Sequence, residues 1–261
     1  MNTVGDYLKS GAIDIAPLLS LVLGKSNTEL YVQNDYTLND KQQQQLTNFI
    51  QQREQGVPFA YLSGKKGFYH LDFKVTKDTL IPRPETELLI DITLDLLNKN
   101  QKYQVLDLGT GSGIIAVTLA DINPRWKVSA TDFSQAALNI AKINATTNIN
   151  FNQGNWFDAV TNETFDFIVS NPPYIEEDDA YLTDLTYEPQ IALVSGEDGL
   201  NDIRIIINNA PSHLNKEGYL LLEHGYNQQQ KITKLLNKAF HNIKTYKDYN
   251  GNDRAVLAQI K

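Results

Sequence analysis

Val105-Leu106-Asp107-Leu108-Gly109-Thr110-Gly111-Ser112-Gly113-Ile114-Ile115-Ala116 decides the fold. The apolar run broken by one acid reads as a buried strand, and the apolar residues from Ile114 to Ala120 open a helix. Three glycines in the five residues between them make a tight turn, because glycine tolerates positive φ and lets the backbone approach a ligand. Strand, glycine turn and helix form the first unit of an alternating α/β sheet, and the alternation continues downstream. Lys127 to Thr131 reads as the second strand, ending at Asp132; Ser134 to about Asn144 reads as a helix capped by Ser134. The third strand falls near Ile149 to Gln153. The fourth, Phe165 to Ser170, runs into Asn171-Pro172-Pro173-Tyr174. A helix from about Leu200 to Leu214, a strand at Tyr219 to Glu223 and a helix from about Gln228 to Phe240 follow. Two last strands, Ile243 to Lys247 and Arg254 to Ile260, flank the hairpin signal Asn250-Gly251-Asn252-Asp253. The expected architecture is a seven-stranded, mostly parallel sheet with helices on both faces, ending in an antiparallel hairpin.

Upstream, residues 1–64 have helical spacing. Leu18, Leu19, Val22 and Leu23 follow Pro17, and Gly24 stops that helix. Asp40 is expected to cap a second helix carrying Leu46, Phe49 and Ile50, which Gly56-Val57-Pro58 ends. This small helical domain either holds a macromolecular partner or supports the larger domain. Residues 65–82 mix aromatic and β-branched residues (Phe68-Tyr69-His70-Leu71-Asp72-Phe73-Lys74-Val75) and read as a hairpin linker. The third segment, 83–261, begins with a helix whose first turn holds Pro84 and two glutamates. Arg83, fixed between Pro82 and Pro84, is open to two readings: an anion site, or a cap on a surface charge.

Composition narrows the function. The chain has 261 residues and no cysteine, which excludes disulfides and thiolate sites and fits the cytoplasm. Its four histidines have no ligand-like spacing, so no metal site is expected. The apolar run Ala16 to Leu23 is too short to cross a bilayer and, with Asp6 and Asp14 before it, makes a poor signal peptide. A net charge of −8 counts against nucleic acid as the main partner. The run Gln42 to Gln45 reads as solvated helix surface.

In a sheet of this kind ligands sit at the carboxyl ends of the strands, near the switch in strand order. Gly109 to Gly113 lies there, and Asp132, 19 residues after Gly113, can accept hydrogen bonds from both ribose hydroxyls of an adenosine. The loop spacing is G-x-G-x-G rather than the dinucleotide G-x-G-x-x-G, and Asp107 precedes it. S-adenosylmethionine, with adenosine, a sulfonium and no pyrophosphate, fits this better than NAD. The Asn171-Pro172-Pro173-Tyr174 corner is stiff and rich in acceptors, because neither proline donates and both fix φ. Acceptors so placed suit a planar NH2, either of an amide or of a base, with Tyr174 as an aromatic face. Read as a bare sequence, the same four residues also make an ordinary tight turn.

Together, Gly109 to Gly113, Asp132 and Asn171 to Tyr174 resemble the class I S-adenosylmethionine-dependent methyltransferases, a Rossmann-like fold, that act on planar nitrogens. Ala60-Tyr61-Leu62-Ser63-Gly64, Leu80 to Glu87, Leu106 to Gly113, Val169 to Ile175, Glu188-Pro189, Leu222-Glu223-His224-Gly225 and Asp253-Arg254 are similar to the peptide chain release factor glutamine methyltransferase family (PrmC/HemK type) over nearly the whole chain. The resemblance implies S-adenosyl-L-methionine as cofactor and N5 of the glutamine in the Gly-Gly-Gln motif of class I release factors as acceptor. It also implies that the N-terminal helices hold the release factor. It places Gly109, Thr110, Gly111, Ser112, Gly113, Asp132, Trp156 and Asn171 at the cofactor, and Asn171, Pro172, Pro173 and Tyr174 at the glutamine, with Asn171, Pro172 and Tyr174 as the catalytic set. Asn155 departs from the family, where an acid often precedes the tryptophan. The expected partner is protein, with no membrane or direct nucleic-acid binding, and the expected state is a monomer. The competing readings are a methyltransferase acting on an exocyclic amine of adenine or guanine in RNA or DNA, and a nucleoside-binding regulator without turnover.

Overall fold

Residues 3–261 are described by a computed structural model; the first two residues of the helical segment 1–64 lie outside it. The chain divides into two compact units, one ending at Gly64 and the other spanning Lys65–Lys261.

The first unit holds α1 (Val4–Leu8), α2 (Ile15–Leu23), α3 (Asn27–Val32), α4 (Asp40–Glu54) and α5 (Phe59–Ser63). Leu18, Leu19, Leu30, Leu38 and Leu46 form its own core. Three of these helices start with reciprocal capping boxes, Thr3 with Asp6, Ser26 with Glu29 and Asn39 with Gln42, each satisfying two otherwise unpaired N–H groups. Asn39, not Asp40, therefore caps α4: its carbonyl oxygen Oδ1 accepts from the Gln42 N–H at 3.0 Å. Gly24 stops α2 in the left-handed conformation.

The second unit opens with the hairpin β1 (Lys65–Phe68) and β2 (Leu71–Lys74). Phe68 and Phe73 meet edge to face and are buried in the main core. After α6 (Glu87–Leu96) come β3 (Gln104–Leu108), α7 (Ile114–Ile122), β4 (Lys127–Asp132), α8 (Gln135–Asn144), β5 (Asn150–Gln153), β6 (Phe165–Ser170), α9 (Asn201–His213), β7 (Leu214–Glu223), α10 (Gln229–Leu236), β8 (Phe240–Lys247) and β9 (Asp253–Ile260). The sheet order is β5-β4-β3-β6-β7-β9-β8. Pairings from β5 to β7 are parallel, and β9 is antiparallel to both β7 and β8.

Successive strand residues face opposite sides of a sheet, and here both sides are covered. Val105, Phe167, Val169 and Leu221 pack beneath α6 and α7, while Leu106, Leu108, Ile168 and Leu220 pack against α9 and α10. This explains why the central strands read as continuous apolar runs. Several element bounds differ from the sequence expectation, most of all at β7 and at the junction of α10 with β8. The strand expected at Tyr219 begins at Leu214, because Leu214 already pairs with Phe165 ahead of an irregularity in the ladder. The helix expected to reach Phe240 ends at Leu236, and Phe240 is instead the first residue of β8, buried and paired with Ile260.

Candidate active site

The strand order reverses between β3 and β6, which lie side by side in parallel with Leu108 opposite Ser170. The Ser170 hydroxyl donates to the Leu108 carbonyl at 2.7 Å, so the residues that follow, Gly109 and Asn171, leave the sheet together. A cavity of about 420 Å³ opens there, lined by Gly109, Gly111, Asp132, Trp156, Asn171 and Pro173 among others. That volume lies in the range of small-molecule sites.

The glycine loop is held from below and from the side. Asp107 is fully buried; its Oδ2 accepts from the Thr110 hydroxyl at 2.6 Å and the Ala116 N–H at 3.1 Å, while Oδ1 has no hydrogen-bond partner among the described residues. Burial pushes its pKa up to about 7, against the pull of those two hydrogen bonds. Asp132 ends β4. Its Oδ2 accepts from the Gly111 N–H and its Oδ1 from the Ser134 N–H, each at 2.8 Å. Burial raises its pKa, and the two N–H donors oppose the rise. Each oxygen has a further lone pair to offer toward the cavity.

Gly109, at φ +70, leaves room for the Trp156 ring: a Cβ at this glycine would stand 3.2 Å from Trp156 Cζ3. Trp156 itself sits at φ +49, a conformation bulky residues rarely adopt. It is held there by the Thr131 hydroxyl, which donates to its carbonyl at 3.3 Å, and by Asp202, whose Oδ1 accepts from the indole Nε1–H at 3.2 Å. The Ser195 hydroxyl donates to the other Asp202 oxygen at 2.7 Å.

Asn171 donates from Nδ2 to the Thr86 hydroxyl at 3.0 Å. Tyr174 donates from its hydroxyl to Glu223 Oε1 at 3.3 Å, and burial raises its pKa. Its backbone is tied on both sides: the N–H donates to the Leu193 carbonyl at 3.2 Å, and the carbonyl accepts from Gln228 Nε2 at 2.9 Å. Glu223, at the end of β7, is buried, and desolvation lifts its pKa to about 7 against Thr86, Arg254 and Tyr174.

Arg83 fits neither of its sequence readings. It forms an ion pair with Glu188, a buried residue whose other oxygen accepts the Ile81 N–H at 2.9 Å. Arg83 also donates to the Ile81 carbonyl at 2.9 Å. The pair thus binds the Leu80–Arg83 segment to Glu188-Pro189, and Leu80 and Pro189 both line the cavity.

Of the predicted site residues, Gly109, Gly111, Asp132, Trp156, Asn171 and Pro173 line one cavity. The others support it from behind. Thr110 turns to Asp107, the Ser112 carbonyl accepts from Asn144, and Gly113 packs against Val117 and Ala141. Pro172 is buried, and Tyr174 turns its hydroxyl to Glu223. Sequence reasoning missed Phe133, which lines the cavity while 60% exposed; an aromatic directly after the strand-ending acid was the available signal. It also missed Asp202 and Ile191, for which no sequence signal stands out.

A carboxylate at a strand end, glycine backbone and two aromatic rings around a cavity of this size suit a nucleoside. The sheet order, with its antiparallel last strands, and this site at the switch point define a class I methyltransferase fold. Solved structures share it. A methyltransferase from Pyrococcus furiosus, 22% identical, aligns over 80% of this chain and 98% of its own with a TM-score of 0.58. The 16S rRNA N2 G1207 methyltransferase of T. Thermophilus, in complex with AdoMet and guanosine, is 18% identical over 76% of this chain and 50% of its own, with a TM-score of 0.56.

Residues 86–189 match the Methyltransferase small domain family, and residues 6–64 match the PrmC N-terminal domain family. The release factor glutamine methyltransferase of Coxiella burnetii is 44% identical over 256 residues, covering 96% of this chain and 92% of the relative. That of Buchnera aphidicola is 44% identical over 251 residues, covering 94% and 90%. The chain belongs to the release factor glutamine methyltransferase family.

Proposed function

We propose that this protein methylates the side-chain amide nitrogen, N5, of the glutamine in the Gly-Gly-Gln motif of class I peptide chain release factors, using S-adenosyl-L-methionine. The observation that carries the reading is the setting of Asn171. Its Nδ2 is engaged by Thr86, so its acceptor oxygen is the end left for a substrate N–H at the cavity.

The cofactor supplies a methyl group activated on a sulfonium. Asp132 would hold its ribose hydroxyls; Gly109 and Gly111 would let it approach the backbone; Trp156 and Phe133 would flank the adenine. An amide nitrogen is a weak nucleophile because its lone pair is delocalised, as the peptide-bond rotation barrier of ~18–20 kcal/mol shows. Asn171 Oδ1 and the Pro172 carbonyl would each accept one hydrogen of the glutamine NH2. Together they fix the nitrogen and stabilise positive charge as it grows there. Orientation of this kind contributes up to about 7–11 kcal/mol. No base is required before attack, since the nitrogen becomes acidic as it is alkylated. Tyr174 and Pro173 complete the glutamine pocket, and the helices before Gly64 hold the release factor.

Mass spectrometry of the Gly-Gly-Gln peptide of a release factor, after incubation with this protein and S-adenosylmethionine, tests the reading. One methyl on the glutamine is expected. An unmodified peptide, with cofactor binding confirmed, would overturn it and turn attention to base amines in RNA and DNA.

A further inference from the structure

Two buried polar groups near Asn171, Thr86 and Glu223, touch no reacting atom in the mechanism above. Thr86 is completely buried at the N-cap position of α6, where a threonine hydroxyl ordinarily accepts from the helix backbone, yet it makes no such bond. Its oxygen instead accepts from Asn171 Nδ2. Glu223 is 1% exposed and has no ion-pair partner among the described residues; the neighbouring Arg254 gives its hydrogen bonds to Asp248 and the His224 carbonyl. A buried carboxylate without a counter-ion is costly, and neither the fold nor the chemistry so far explains why one is here.

Hydrogen-bond polarity explains both. A carboxamide can turn by half a revolution and exchange its donor and acceptor ends with almost no change in shape, so something must choose between them. In its ionised form, which prevails above about pH 7, the Glu223 carboxylate only accepts. Oε1 of Glu223 accepts a hydrogen bond from the Tyr174 hydroxyl, and Oε2 is buried with no hydrogen-bond partner among the described residues. The Thr86 hydroxyl stands close enough to the carboxylate to draw its pKa down, and its proton is free because its oxygen serves Asn171. Were that proton given to Glu223, Thr86 could only accept from Asn171. Asn171 would then have to turn Nδ2 to Thr86, which leaves Oδ1 as its outward end.

We propose that Thr86 and Glu223 are positioning residues that set the donor–acceptor orientation of the Asn171 carboxamide, so that an acceptor rather than a donor meets the substrate amide. The proposal rests on the reading of Asn171 as the acceptor for the glutamine NH2. With the carboxamide reversed, an N–H would face the substrate's N–H, and the nitrogen would be repelled rather than held.

The test uses the full chain, a release factor and S-adenosylmethionine. Thr86→Val keeps the side-chain volume and removes the hydroxyl; Thr86→Ser keeps the hydroxyl. Thr86→Val should lower kcat at least tenfold, with the cofactor Kd and the melting temperature close to wild type, and Thr86→Ser should stay within threefold of wild-type kcat. Glu223→Gln, which can donate as well as accept, should also lower kcat at least tenfold; it decides the matter should Thr86→Val not fold. A kcat within threefold of wild type in Thr86→Val or Glu223→Gln, while Asn171→Ala is inactive, overturns the proposal. So does an equal loss in Thr86→Ser, or a loss matched by weaker cofactor binding. An active Asn171→Ala would instead overturn the reading of Asn171 itself, which keeps the two failures apart.

Discussion

A carboxyl group with no access to water must be held by its neighbours, and Asp107 is held by the loop it precedes. Its pKa of about 7, against an ordinary 3.8, means that the folded protein keeps a proton which the unfolded chain has released at intermediate pH. The stability linked to that proton is fully present below about pH 4 and is lost as pH rises through about 7. Glu223 acts in the same direction. Without cofactor, the melting temperature of Asp107→Asn should therefore fall less between about pH 5 and pH 7.5 than that of wild type; parallel curves would show that Asp107 is ionised at both ends. Asp132 has a different role, since its two oxygens already fix Gly111 and Ser134. Asp132→Ala removes both the proposed ribose acceptor and the tie on the loop. Calorimetry should show S-adenosylmethionine binding at least tenfold weaker, about 1.4 kcal/mol or more; unchanged affinity would remove Asp132 from the cofactor site.

At the scale of elements, the site is assembled by pairs of segments tied across the strand ends. β3 and β6 are joined by Ser170 to the Leu108 carbonyl, and the Leu80–Arg83 segment is joined to Glu188-Pro189 by an ion pair. Arg83 is partly exposed while the Glu188 side chain is almost wholly enclosed, so the cost of breaking the pair falls on the glutamate. Arg83→Ala should lower stability by roughly 2–3 kcal/mol in urea denaturation, less than a fully buried pair would lose because water can reach the vacated position. A loss within about 0.5 kcal/mol would mean that the Ile81 N–H alone suffices for Glu188. Sequence alone could not assign this partner, because 105 residues separate the two side chains. By contrast, the stop at Gly24 and the cap at Ser134 were legible because their causes lie within a turn or two of chain.

For the whole molecule, every residue lining the cavity lies after Gly64, and each unit has a hydrophobic core of its own. A fragment spanning 65–261 should accordingly bind S-adenosylmethionine within about threefold of the full chain while losing most methyl transfer to an intact release factor. Full transfer by the fragment would show that the N-terminal helices do not hold the substrate. The alternation of strand and helix, the glycine turn and the Asn171-Pro172-Pro173-Tyr174 corner were determined by sequence alone, because periodicity, φ preference and missing N–H groups are local properties of the residues themselves. What tertiary structure decided was which of these residues face the cavity. Asn171, Pro173 and Trp156 line it, whereas Thr110 and Tyr174 turn inward to buried carboxylates. It also decided that Asp202 braces the tryptophan and that Thr86 serves Asn171 rather than its own helix. The last two hydrogen bonds join residues 46 and 85 positions apart, and their polarity depends on which group is denied water, a property that exists only once the chain has closed around it.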